Sequence, residues 1–191
     1  MISLREILYG LYGAYRLCRF DPQGLGYLDR SHEGFWRSFF AAVLVAPAHF
    51  LIIALRPDAE SVRASLPRIV LIEGAAYVIL VFAYPVIMHA ICQFLDRQRQ
   101  YVSYIVAYNW AGAVQMALVF PMALITTSGL LPTPAANLLQ LAVTALTLVM
   151  FWYIAKTALE IPGHIAAVLV TIDVVLSYLL GAIADARLGI A

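Results

Sequence analysis

Apolar residues gather along this chain into five long blocks separated by short polar turns, and none of the blocks alternates polar and apolar at every second position. The pattern predicts helices rather than strands, at about Phe35–Leu55, Ile69–Leu95, Tyr101–Thr126, Leu138–Leu159 and Ile165–Ile183. Each approaches or exceeds the ~18 apolar residues that mark a membrane-spanning helix. The middle block organises the rest. At ~1.5 Å per residue it makes about 39 Å of helix, against a hydrocarbon core about 30 Å thick. Inside it lie Asn109, Gln115 and Pro121. An amide in lipid seeks a partner, because a polar group left unpaired there costs several kcal/mol. This helix is therefore expected to face other helices.

Ahead of the blocks, Ile2–Cys18 repeats apolar residues at three and four: Leu4, Ile7, Leu8, Leu11, Ala14, Tyr15 and Cys18. Arg5, Glu6, Tyr9, Gly13 and Arg16 fall on the opposite face. An amphipathic helix follows, with two placements open to it: along the headgroups, or packed onto the spans. Phe20–Gly34 carries a proline, glycines and charges of both signs, so it is a turn-rich connection in which Ser31 is placed to cap the first span. The predicted fold is all-α, a polytopic transmembrane bundle of five spans with an N-terminal amphipathic interfacial helix. It divides into residues 1–34 on the cytoplasmic face and 35–191 within the membrane.

Composition agrees. Of 191 residues, 63% are hydrophobic and 12% charged, whereas an ordinary soluble domain has about 25% charged residues. The net charge of +1 and the scattered basic residues give no stripe for nucleic acid. Cys18 and Cys92 fall at the same membrane face, near the reducing side, so no disulfide is expected. The charges among the first residues leave no uninterrupted core for a cleavable signal.

Orientation follows from the basic residues. One side receives Arg5, Arg16, Arg19, Arg30, Arg37, Arg97, Arg99 and Lys156, the other Arg56, Arg63, Arg68 and Arg187. The bias places the amino terminus in the cytoplasm and the carboxyl terminus outside, in the periplasm of a bacterial inner membrane. Arg5, Arg16, Arg19, Trp36 and Arg37 are then the membrane-surface contacts.

Candidate chemistry is sparse. Asp173 lies about 12 Å into the last span at ~1.5 Å per residue, close to the midplane. Asn109 enters from the same side to a similar depth, so the two are expected to meet if the third and fifth spans touch, with Gln115 nearby. That polar site reads as a clasp fixing which helices pair, or as a proton or ion step. Glu73, one turn inside the outer end, is expected to reach water or pair with Arg68. Ser177 with Gly181, and Ala107 with Ala111, make small-residue faces for close helix approach. His49 and His89 fall near opposite membrane faces and cannot share a metal ion. No H-E-x-x-H, G-x-S-x-G or phosphate-loop motif occurs. Neither a catalytic residue nor a cofactor is expected.

Ile105-Val106-Ala107-Tyr108-Asn109-Trp110 and Phe151-Trp152-Tyr153 followed by Lys156-Thr157-Ala158-Leu159 resemble the third and fourth spans of the Yip family of integral membrane proteins, and the run Ile161–Val170, a turn and then an alanine-rich helix start, fits the same resemblance. The resemblance covers about the last half of the chain. The amino-terminal stretch departs from eukaryotic members, which carry longer soluble segments. The resemblance implies five closely spaced spans and a non-enzymatic protein acting through helix and surface contacts. Eukaryotic relatives bind prenylated small GTPases in vesicle traffic, a role that does not transfer to this shorter chain. The expected function is an interaction or organising component of the membrane, with lipid and other membrane proteins or a second copy as partners. The alternative is a small transporter or channel subunit using Asp173 and Asn109.

Overall fold

A computed structural model describes residues 2–55 and 65–189. All regular structure among them is helical: α1 Leu4–Cys18, a 3-10 turn Pro22–Tyr27, α2 His32–Ser38, α3 Phe40–Ala54, α4 Leu66–Phe94, α5 Gln98–Thr127, α6 Thr133–Ala158 and α7 Gly163–Leu188. With α2 and α3 taken together, five helices are long and apolar enough to cross a membrane. The protein is an integral membrane protein of five spans. Residues 56–64, most of the polar loop expected between the first two spans, lie outside the described residues.

Local sequence sets most helix ends. Ser3 and Glu6 close a reciprocal capping box on α1. Asp21 caps the 3-10 turn with Pro22 behind it, and Ser31 accepts from the Gly34 N–H at the start of α2. The first span then breaks between Ser38 and Phe40, where α2 ends and α3 begins; the sequence pattern predicts one continuous helix there. α4 begins three residues before the expected Ile69, with Pro67 in its first turn.

The turns at the α1 end of the bundle share one geometry. Phe20, Asp96 and Glu160 each adopt a left-handed backbone, with φ of 62°, 55° and 54°. The next residue in each case donates back to a carbonyl of the helix just ended: Asp21 to Arg16, Arg97 to Cys92 and Ile161 to Lys156. These are Schellman-type stops, made without the glycine that usually occupies the left-handed position. The far end uses Gly129 there, at φ 70°.

α5 is the axle. It packs against α1, α2, α3, α4 and α6, and it buries Tyr104, Ile105, Val106, Ala107, Trp110, Ala111 and Ala113. Ala107 and Ala111 are fully buried, so their small-residue face is used as expected. Ser177 and Gly181 differ: a Cβ built on Gly181 would meet nothing within 4 Å, so no helix seats there. The core is gathered near the α1 end. The buried residues of α6 run from Thr147 to Ala158, and nothing in its first half is buried.

α1 packs on α5 and α6 rather than lying free. Gly10, Ala14, Leu17 and Cys18 are buried, while Leu4 and Leu8 stay largely exposed. Gly13, on the face expected to be polar, is buried because the 3-10 turn folds over it: a Cβ there would stand 2.8 Å from the Gly24 carbonyl oxygen. At Gly10 a Cβ would sit 2.4 Å from the Trp110 ring. Gly10→Val should therefore lift α1 from α5 and cost about 1–3 kcal/mol by overpacking, read as an apparent Tm lowered by several degrees in detergent. An unchanged Tm would show that α1 does not dock on α5.

Candidate functional site

Tyr108 and Asn109 are neighbours on α5, and ~3.6 residues per turn sends them to different sides of the helix. The Tyr108 hydroxyl donates to Asp173 Oδ1 at 2.8 Å. The Asn109 amide donates to Ser38 Oγ at 2.8 Å, and Ser38 in turn donates to the Phe35 carbonyl at 2.7 Å. The expected Asn109–Asp173 pairing therefore gives way to two separate contacts. Asn109 clasps the break between α2 and α3, where Ser38 is fully buried. The intramembrane acid answers to a tyrosine instead.

Asp173 is half-buried and lines a cleft of about 350 Å3 among α4, α5, α6 and α7. Gln115, Gln140, Thr144, Thr147 and Ser177 share its walls with the rings of Tyr108 and Phe151. Gln115 thus lines the same cleft as Asp173, while Asn109 does not. The cleft lies where α6 stops burying side chains, beyond Thr147, and where α7 buries none between Leu169 and Ala184.

Toward the α1 end the cleft stops at packed tyrosines. The Tyr84 and Tyr104 hydroxyls are 2.6 Å apart, the Tyr84 ring stacks on Tyr108 at 4.6 Å between centroids, and Met88, Ile105 and Ile154 fill the space around them. Sequence reasoning missed these three tyrosines. The available signal was Tyr104 and Tyr108 four apart on one helix, each with a hydroxyl that needs a partner at span depth.

Toward the far end a second crevice, about 210 Å3, is lined by His49, Glu73, Tyr77, Ser177, Gly181 and Asp185 among others. Leu80 and Ser177 belong to both spaces. Glu73 is buried and faces this crevice. Arg68, its expected partner, donates to the Arg187 carbonyl at 3.0 Å. The Tyr77 hydroxyl donates to the Ala42 carbonyl, and its ring lies 4.7 Å from His49. His89 is far away at the other end, beside Gln93 and Tyr101. Among the described residues no three His, Cys, Asp or Glu side chains are grouped to hold a metal ion.

The expected surface residues divide. Arg37 pairs with Glu6 of α1 and with Glu33, and Arg16 bonds Asp21, Gln23 and Tyr27. These two arginines tie the amino-terminal unit together. Arg5 and Arg19 lie over Tyr9 and Tyr15, and Trp36 is exposed, so these three remain available to headgroups. The Ser3 N–H, helped by the Ser3 hydroxyl and Arg37, holds the Glu6 carboxyl below its ordinary range. Asp21 is opposed by burial, but the Gln23 N–H and Arg16 still bring it down. Burial pushes the Cys18 thiol up to about 12, so it carries no thiolate at neutral pH. Both cysteines are free and buried.

Carboxylates with lowered values stabilise the fold above the unfolded-state range near pH ~4, and that contribution is lost as pH falls through the lowered values. Hydrogen exchange in α1, corrected for intrinsic rate, should be flat from neutral pH to about 5 and rise only below ~4; a rise near neutral pH would contradict the two ion pairs. For the clasp, a double-mutant cycle of Asn109→Leu with Ser38→Ala should show a coupling of about 0.6 kcal/mol, with ~1.7 as ceiling. Additive losses would remove the clasp. Comparison with protein-family profiles, characterised proteins and solved structures finds no match to this chain.

Proposed function

We propose that this protein binds a small polar solute within its helical bundle and acts, without catalysis, as a carrier- or channel-type component of the membrane. One observation carries the reading: Asp173 lines a cleft whose walls also bring Gln115, Gln140, Thr144, Thr147 and Ser177 together from three helices. A polar clasp needs one partner for the acid, and Tyr108 supplies it. The amides of Gln115 and Gln140 exceed that need, while the Thr144 and Thr147 hydroxyls donate to carbonyls of their own helix and offer only acceptor capacity; about 350 Å3 falls within the ~300–1,000 Å3 typical of small-molecule sites. Intramembrane acids facing a cavity mark solute or ion pathways in other helical bundles.

A second reading, an organising role of the Yip type, draws on α1. Leu4 and Leu8 stay exposed beside Arg5 and Tyr9 after the helix has docked, a surface suited to headgroups or to a membrane partner. The excess of basic residues at the α1 end supports a cytoplasmic amino terminus and a periplasmic carboxyl terminus in a bacterial inner membrane.

The test is whether the cleft holds water. In a background of Cys18→Ala and Cys92→Ala, Thr144→Cys and Gln115→Cys should react with a charged, membrane-impermeant thiol reagent in proteoliposomes. The expected rate is roughly tenfold above that of Val149→Cys on the apolar surface, because only a hydrated thiol ionises readily. Equal rates at all three positions would mean a dry cleft, and the solute-binding reading would fall.

A further inference from the structure

Resting on the solute-binding reading, we propose that the cleft takes a small organic ammonium cation, admitted only from the end of the bundle opposite α1. The chemistry of the walls selects the charge. Among the described residues that line the cleft, Asp173 is the one carboxylate and none is a lysine or arginine. The rings of Tyr108 and Phe151 lie 5.2 Å apart between centroids and both line the same cleft. A carboxylate beside aromatic faces suits a soft cation that keeps little of its hydration shell, since the ring quadrupole attracts positive charge and its alkyl groups pack on the rings. An anion would meet a carboxylate with no cationic side chain among the described lining residues. A bare metal ion would want several oxygens closing on one point, whereas the polar groups here are spread along the walls of about 350 Å3. One water takes about 30 Å3 of liquid, so this is room for an ion of several heavy atoms with water beside it.

Access follows from which way the cleft continues. Toward α1 the way is shut by Tyr84 and Tyr104, each 1% exposed and joined through their hydroxyls, with Met88 and Ile154 behind them at 0%. In the other direction the cleft meets the far crevice at Leu80 and Ser177, residues lining both. α7 runs from the α1 end outward, so Ser177, Gly181 and Asp185 step in order from the cleft to the far rim. Gly181 lines that crevice, and an added Cβ there finds nothing within 4 Å, so the residue is not packed against a neighbouring helix. Ser177 stands at the joint, and a large side chain there should close it.

The experiment uses the full chain and tetraethylammonium as the probe. In detergent, wild type should bind radiolabelled tetraethylammonium saturably, Asp173→Glu should retain binding, and Asp173→Asn should weaken it at least ~10-fold, the equivalent of ~1.4 kcal/mol. Phe151→Leu, which removes a ring but neither group of the Tyr108–Asp173 bond, should weaken it as well and serves if Asp173→Asn does not fold. In proteoliposomes of known orientation, the impermeant thiol reagent should reach Thr144→Cys from the carboxyl-terminal side alone, tetraethylammonium should slow the reaction, and Ser177→Trp should block it. Labelling from the α1 side would overturn the proposed entrance. Labelling without protection, or binding indifferent to Asp173→Asn and Phe151→Leu, would overturn the ammonium assignment while leaving a hydrated solute site. An unreactive Thr144→Cys would instead remove the site itself.

Discussion

In lipid, apolar side chains gain nothing by leaving the solvent, so helices associate through close packing and through polar groups that must find partners. Everything distinctive in this bundle follows from where those two conditions are met. Near α1 they are met densely: small residues Ala107 and Ala111 bring helices onto α5, Gly10 admits the Trp110 ring, and Tyr84, Tyr104 and Tyr108 satisfy one another or Asp173. Toward the other end α6 has leucines, threonines and a glutamine but no buried contacts. Burial is denser in the α1 half of the bundle, and the cleft beside Asp173 lies where α6 loses it.

The amino-terminal unit belongs to the closed half. Capping by Ser3, Asp21 and Ser31, the Arg16 and Arg37 ion pairs, and the interlock of Gly13 with Gly24 make α1, the 3-10 turn and α2 a compact cover on α5. The Tyr153 hydroxyl donates to the Phe20 carbonyl and extends the cover to α6. Three non-glycine residues hold left-handed backbone at the turns of this end. Such residues persist where surrounding structure over-determines them, which is another sign of how firmly this end is built.

The same asymmetry gives Asp173 its setting. Its hydrogen bond comes from the closed side, through Tyr108, and its remaining acceptor capacity faces a cleft walled by amides, hydroxyls and rings. Asn109, the next residue on α5 after Tyr108, donates instead to Ser38 at the break in the first span. Two polar residues that look equivalent along the chain therefore divide into a fastening and a lining.

The sequence by itself determined the solvent and the count of spans, because helix length and hydropathy are properties of a segment and need no neighbours. The cap at Ser31, a bond across three residues, was legible in the same way; those at Ser3 and Asp21 are equally local but were seen only in the structure, and Asp173 and Gln115 stood out as groups needing polar company. Tertiary structure alone decided who that company is. Whether Asp173 meets Asn109 or Tyr108 turns on the rotation of α5 about its axis, since one residue is about 100° of azimuth. Whether Ser177 and Gly181 pack a helix or border a crevice turns on how far α4 and α7 stand apart. Azimuth and separation arise from all the helices packing at once, and no single segment encodes them.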